Sequence, residues 1–317
     1  MTVSKYPNGF RDGVSIQNMP VLNTYGNKVF WVYYDTTNST GGSDGNPGTF
    51  EKPFASLDYA VGQCTASRGD IIMLKPNHNE TISSATALAL DVAGITILGL
   101  GRGSTRPKFI LDTATTSTIA VSAASISIEN VIFSANFADI AELFTPTATD
   151  FACIDCKFTQ EAVNMNFVEI ADTGTTNNEV DGLTFVGCEW VEVDTASTSL
   201  VNVDADIEGL TVQDCYIDLG VNGVLSAIAE VAAGKDLTNV DIRRNYVSRL
   251  VTASAVQLIT FVDTTTTNTG IMEDNRCRSL DVAGELLLTA GTNISLYNNL
   301  STSAVDASGY VLPAIDA

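Results

Sequence analysis

The sequence predicts an all-β chain wound as a parallel β-helix, and three observations carry that prediction. The first is an eight-residue pattern that the chain keeps rewriting. Leu183–Trp190 (LTFVGCEW) is its clearest copy. Ile126–Phe133 (ISIENVIF), Phe151–Phe158 (FACIDCKF), Leu210–Ile217 (LTVQDCYI) and Val240–Val247 (VDIRRNYV) repeat it. Apolar or small residues hold the first and third places, a small or polar corner follows, and a bulky residue closes the eighth. Adding weaker copies, the sixth places are Leu100, Val131, Cys156, Cys188, Cys215, Asn245, Asn275 and Asn299. Their separations run from about 24 to 32 residues, the range of stacked repeat architectures.

The second observation is another strand signal in each interval, as in Ala89–Val92, Ile119–Val121, Phe167–Ile170, Leu200–Val203, Leu258–Val262 and Glu285–Leu288. The third is that no helical periodicity separates these signals. Two or three short strands per repeat, alternating in polarity, build a coil whose equal positions stack about 4.8 Å apart.

Taken in order, residues 1–30 read as an extended N-terminal arm, because Pro7, Gly9, Gly13 and Pro20 interrupt any periodicity. Its apolar residues, with Arg11, are spread along it: Tyr6, Phe10, Val14, Ile16 and Met19. Such a segment is ordered by lying on a partner surface or on a sister subunit. Residues 31–300 read as the β-helix. Within them, Ser56 caps a short amphipathic helix over 56–65, with Leu57, Ala60, Val61 and Cys64 on one face, suited to covering the first coil. Residues 301–317 read as a C-terminal tail that covers the last coil.

Composition narrows the function. The formal net charge is −21, and Lys157 is the only basic residue between Lys108 and Lys235. A nucleic-acid or anionic-membrane binder needs the opposite sign. No apolar run reaches the length of a membrane span, and Met1–Phe10 lacks the pattern of a secretory signal. The six cysteines have no secreted disulfide spacing, so synthesis in a reducing cytoplasm is expected.

At this point the chain resembles a known family. The run from Gly42 to Val61, followed by Gly69–Ile72, is similar to the opening segment of right-handed β-helix proteins of the pectate-lyase-like superfamily. Asn27–Val32, Asp91–Gly94 and Asn136–Ile140 resemble virion proteins of tailed bacteriophages. The resemblance spans most of residues 20–200 and implies a right-handed helix. It also implies a place on the virion, as a homotrimer that decorates or cements the capsid against the major capsid protein. The calcium-binding carboxylates and basic catalytic residue of the pectate lyases have no match here, so no catalytic role is carried over.

The chemistry-bearing residues favour structure. Cys153 and Cys156 have CxxC spacing, but Cys156, Cys188 and Cys215 share one inward place, which makes a ladder of small buried side chains. Zinc needs a second pair, which is missing. Asn245, Asn275 and Asn299 continue that ladder in amide form. No cofactor or metal is expected. His78, the single histidine, is expected on a surface loop, with Glu80 as its one acidic neighbour in sequence. The enzymatic candidates are outward carboxylates on adjacent coils, Glu189, Glu192, Asp194, Asp214 and Asp218, which match the pairing that glycoside hydrolysis uses. The leading expectation is a non-enzymatic virion protein. A tailspike or depolymerase acting on host polysaccharide is the alternative.

Overall fold

The computed structural model describes residues 14–16, 19–21, 27–35, 40–192, 197–219, 225–230, 234–249, 256–260, 268–278, 288–289, 293–302 and 310–312. They form a parallel β-helix. Each coil visits three faces in turn, and one coil serves as the pattern. Phe151–Ile154 lies on face 1, Lys157–Gln160 on face 2 and Phe167–Asp172 on face 3. The next coil lays Thr184–Val186, Glu189–Glu192 and Ser199–Val203 parallel on these strands. Among the described residues, faces 1, 2 and 3 are sheets of 10, 12 and 8 strands.

The eight-residue pattern is two strands joined by a corner. Its first four places run on face 1, and the seventh and eighth begin the strand on face 2. The fifth place makes the bend in the left-handed region: φ is 57° at Asn130, 52° at Asp155, 65° at Gly187, 54° at Asp214, 55° at Asp274 and 48° at Asn298. Asn, Asp and Gly enter that region at least cost. At Gly187 a Cβ would also lie 2.3 Å from the Asp155 carboxylate. Arg244, with φ 54°, is the exception in chemistry but not in geometry. A second corner precedes each copy. Ser125, Asp150, Gly182, Gly209 and Asn239 all have positive φ immediately before the first place.

Stacking fills the core. On face 1 the inner row runs Ile72, Ile97, Ile128, Cys153, Phe185, Val212, Ile242 and Met272, all buried. On face 2 it runs Phe109, Phe133, Phe158, Trp190 and Ile217. Ring centroids there are 5.7 Å apart for Phe109–Phe133 and 6.1 Å for Phe133–Phe158. Burying each such aromatic side chain contributes about 2–3 kcal/mol.

From Val131 to Asn299 the sixth-place residues are buried as one column, while Leu100 before them is half-buried. The thiols of Cys156, Cys188 and Cys215 donate to the carbonyls of Ile128, Cys153 and Phe185 in the preceding coil. The amides of Asn245, Asn275 and Asn299 donate to Val212, Ile242 and Met272, the same row of carbonyls continued.

The ends are closed by different devices. At the start, a helix spans Leu57–Gln63, with Ser56 as N-cap accepting from the Tyr59 N–H, and buries Leu57, Ala60 and Val61. It packs against the strands Val29–Val32 and Ala89–Leu90. Face 2 is bounded at both edges by antiparallel strands: Thr40–Gly41 pairs with Tyr34–Asp35, and Tyr310–Leu312 with Asn299–Thr302. Antiparallel edge strands stop the ladder from recruiting further parallel ones. Of residues 1–30, Val14–Ile16 and Met19–Val21 form an antiparallel pair, and Val29 and Phe30 belong to the first coil, pairing with Ile71 and Ile72, so the solenoid begins before residue 31. Tyr6, Phe10 and Arg11 lie outside the described residues.

Candidate functional site

The carboxylates singled out in the sequence serve the stack. Glu189 is register partner to Tyr216, and it pairs with Lys157 at 2.8 Å on the coil below. Asp214 forms a two-pronged pair with Arg244 of the following coil, at 2.7 and 2.8 Å. The Arg244 guanidinium draws its carboxyl below the usual range, against some burial. Asp218 accepts from the Ser248 hydroxyl at 2.5 Å and lies 3.2 Å from the Tyr216 hydroxyl. Glu192 corrects an expectation. It is buried at 2% exposure and not outward, accepting from the Phe167 N–H at 3.3 Å and the Ser197 hydroxyl at 2.7 Å. None of the four is register partner to another. Asp194 lies outside the described residues.

His78 also departs from expectation. It is fully buried, because Nδ1 accepts the Tyr34 N–H at 2.9 Å while Nε2 faces Glu80 at 3.2 Å. With Nδ1 accepting, the proton sits on Nε2. Glu80 in turn accepts the Leu57 N–H at 3.0 Å, so the pair ties the capping helix to the first coils.

A cluster of carboxylates with raised proton affinity lies elsewhere, on face 3. Glu142 and Glu169 are register partners on neighbouring strands, about one strand spacing apart. Asp172 continues the Glu169 strand and is register partner to Asn202, with Asp204 two residues further on. Burial pushes the Glu169 carboxyl up to about 7, helped by Asp172, Glu142 and Asp204 and opposed by a hydrogen bond from Asn202. Burial and Asp172 raise Glu142 as well, and raise Asp204 against the pull of Lys235. The Thr198 hydroxyl lies 3.5 Å from Glu169.

Two buried groups adjoin this ladder without a partner of their own: the Asn202 side-chain oxygen, in a residue 6% exposed, and the Ser199 hydroxyl, in a residue 1% exposed. The sequence carries a signal for the cluster. Ile140–Phe144 (IAELF) and Phe167–Ala171 (FVEIA) place Glu at the third position of the same strand, in consecutive repeats. Attention to the eight-residue pattern alone passes over it.

Face 2 carries two shallow grooves. One of about 590 Å³ is lined by Arg244, Tyr246, Asp274, Arg276, Asn298 and Leu300. Beside it, Tyr216 and Tyr246 stack with centroids 5.2 Å apart. The other, of about 510 Å³, includes Asn79, Arg106, Lys108, Lys157 and Glu161. Its lysines are committed to ion pairs, Lys108 with Glu161 at 2.9 Å and Lys157 with Glu189. Neither groove includes the face 3 carboxylates. Among the described residues, no group of three or more His, Cys, Asp or Glu is arranged to hold a metal ion. No described helix is long and apolar enough to cross a membrane.

Solved structures with a similar fold include a protein titled rhamnogalacturonan lyase. It is 14% identical with a TM-score of 0.46, and the alignment covers 90% of each chain. Pectate lyase Pel9A is 15% identical with a TM-score of 0.42, over 92% of this chain and 83% of that one. ORF18 of Geobacillus virus E2 is 11% identical with a TM-score of 0.27, over 78% and 57%. No family model matches the chain, and neither does any curated protein. These likenesses concern the solenoid and assign no activity.

Proposed function

We propose that this chain is a non-enzymatic structural protein of a tailed-phage virion, decorating or cementing the capsid as a homotrimer against the major capsid protein. The observation that carries the reading is the use made of Glu189, Glu192, Asp214 and Asp218. Each is engaged in bonds that hold neighbouring strands or coils together, and none faces another across a cleft. The similarity of Asn27–Val32, Asp91–Gly94 and Asn136–Ile140 to phage virion proteins supports a virion role. The test is incubation with acidic and neutral polysaccharides, which is expected to release neither new reducing ends nor unsaturated products.

One observation favours a depolymerase as second reading. Glu169, with its carboxyl at about 7 beside Asp172 and Glu142, has the proton affinity of a general acid. Cleavage that disappears in Glu169→Gln would establish that reading and end the non-enzymatic one.

A further inference from the structure

Three strands of face 1 are apolar at inward and outward places alike: Val29–Val32 (VFWV), Ile71–Leu74 (IIML) and Phe151–Ile154 (FACI). A parallel strand with that pattern is one covered on both sides, whereas a strand facing water alternates. The inward side of these strands is the core. Their outward side chains remain half-buried, and Val29 is 45% exposed. Register stacks Trp31, Met73, Leu98, Ile154 and Val186 in one outward row, broken only by Glu129. The row beside it, from Val29 to Thr211, carries no charge. The seven strands from Val29–Val32 to Thr211–Gln213 thus form a flat strip about 30 Å long. At its first strand Trp31 meets Phe50 edge-on, with centroids 4.9 Å apart, and Phe50 is 54% exposed. A continuous apolar surface ending in exposed aromatic rings is the make-up of a protein contact.

Charge selects the occupant. Face 2 turns Lys157 and Glu189 outward, and face 3 carries Glu142 and Glu169. Beyond Gln213, face 1 itself becomes charged, with Arg243 paired to Asp241 and Glu273. A cationic partner is drawn to those acidic regions and not to this strip. Two copies of a chain with net charge −21 repel through most of their surface, and they approach at least cost where carboxylates are sparse. An uncharged apolar strip is complementary to another of its own kind.

We propose that this strip of face 1 is where copies of the chain pack together, with its outward rows as the shared core and Trp31 and Phe50 as anchors. The inference deepens the homotrimer reading by naming the face its subunits share, and it rests on that reading for the number of copies. Three such strips around one axis, each sheet about 5 Å from it, are separated by half the usual sheet spacing and leave room for little beyond these side chains. Glu129 is the one outward group of the strip that opposes the contact, because it brings like charges together.

The experiment is sedimentation of the whole chain over a dilution series, with circular dichroism as the check on folding. The native chain is expected at three times its 33.5 kDa. Ile154→Lys and Val186→Lys, each made alone, should sediment as folded monomers. Val191→Lys, at an outward place of face 2, should stay assembled. Glu129→Gln should act in the opposite direction and lower the dissociation constant about tenfold, a gain that misfolding does not produce. Assembly retained in both face 1 lysine variants, or unchanged in Glu129→Gln, would overturn the face and leave the homotrimer reading standing. A native dimer that the same lysines dissolve would uphold the face and remove the trimer. A native chain that is monomeric at every concentration would end both.

Discussion

The side-chain oxygen of Asn275 accepts the backbone N–H of Asn245 at 3.0 Å, and Asn299 does the same for Asn275 at 3.1 Å. Each coil thus closes the turn of the coil before it. Asn245 extends the relationship to Cys215, whose N–H it accepts at 2.9 Å, and there the amide ladder becomes a thiol ladder. Both address one row of inward carbonyls, which makes a test by substitution possible. Cys215→Asn should keep stability within about 1 kcal/mol, its new amide reaching the Phe185 carbonyl and the Asn245 oxygen. Asn275→Ala should cost about 2–4 kcal/mol, since it strands the Asn245 N–H and the Ile242 carbonyl. Urea unfolding of the two variants decides the matter; equal losses would contradict a shared ladder.

Cys188 is 2% exposed, in a column of uncharged side chains. Cys188→Ala is expected to lose about 1–2 kcal/mol. Cys188→Asp should lose several, because an unpaired carboxyl has no compensation there. Matching melting temperatures for the two would place the residue outside the core.

Asp70 fixes the start of the solenoid. Burial works against its ionisation, yet Arg68 and the N–H groups of Lys28 and Thr65, at 2.7 and 2.8 Å, hold the carboxyl below its ordinary range. Asp70→Asn keeps the size but loses the charge-assisted bonds, and should cost about 2–3 kcal/mol. Hydrogen exchange should then rise at Val29–Val32 and Ile71–Leu74 first, since these strands meet at that clamp.

Stability should depend on pH through Glu169. Burial pushes its folded carboxyl up to about 7 from the ordinary 4.5, so the folded state holds the proton more tightly than the unfolded one. Its contribution is therefore full below about 4.5 and lost as pH rises through about 7, on the order of 2 kcal/mol. Asp70 acts in the opposite sense, losing its contribution only as pH falls through the acid range. Chemical denaturation at pH 5.5 and 8 should show the loss in the native chain, and Glu169→Gln should flatten it. A slope unchanged by that substitution would assign it to other groups.

Arg244 stands where Asp214, Asp274 and Asn298 make the same left-handed bend. Arg244→Asn exchanges a solvent-screened, exposed ion pair for easier backbone geometry. Melting within about 2 °C of the native chain is the expected outcome. A large loss would mean that the Asp214–Arg244 pair, and not backbone preference, holds the corner.

Much of this architecture is legible in the sequence, because a solenoid writes each layer of its core again in the next. The column from Cys156 to Asn299 and the capping helix behind Ser56 follow from spacing and polarity alone. What escaped reading has physical reasons. His78 lies in a loop as expected but looks exposed, because its partners, the Tyr34 N–H and Phe109, are distant in sequence. Glu192 looks outward by its charge, although alternation with Trp190 turns it inside, where Ser197 and the Phe167 N–H satisfy it. The Glu142–Glu169 ladder lies on the face whose strands vary most in length, so its register emerges only once the coils are stacked.

The most direct test of the structural-protein account is a cryo-electron reconstruction of intact particles, compared with particles lacking this chain. The account predicts density for trimeric β-helices on the capsid surface, lost in the deficient particles, together with earlier capsid rupture on heating. Density at the tail tip, with capsids of unchanged heat resistance, would contradict it.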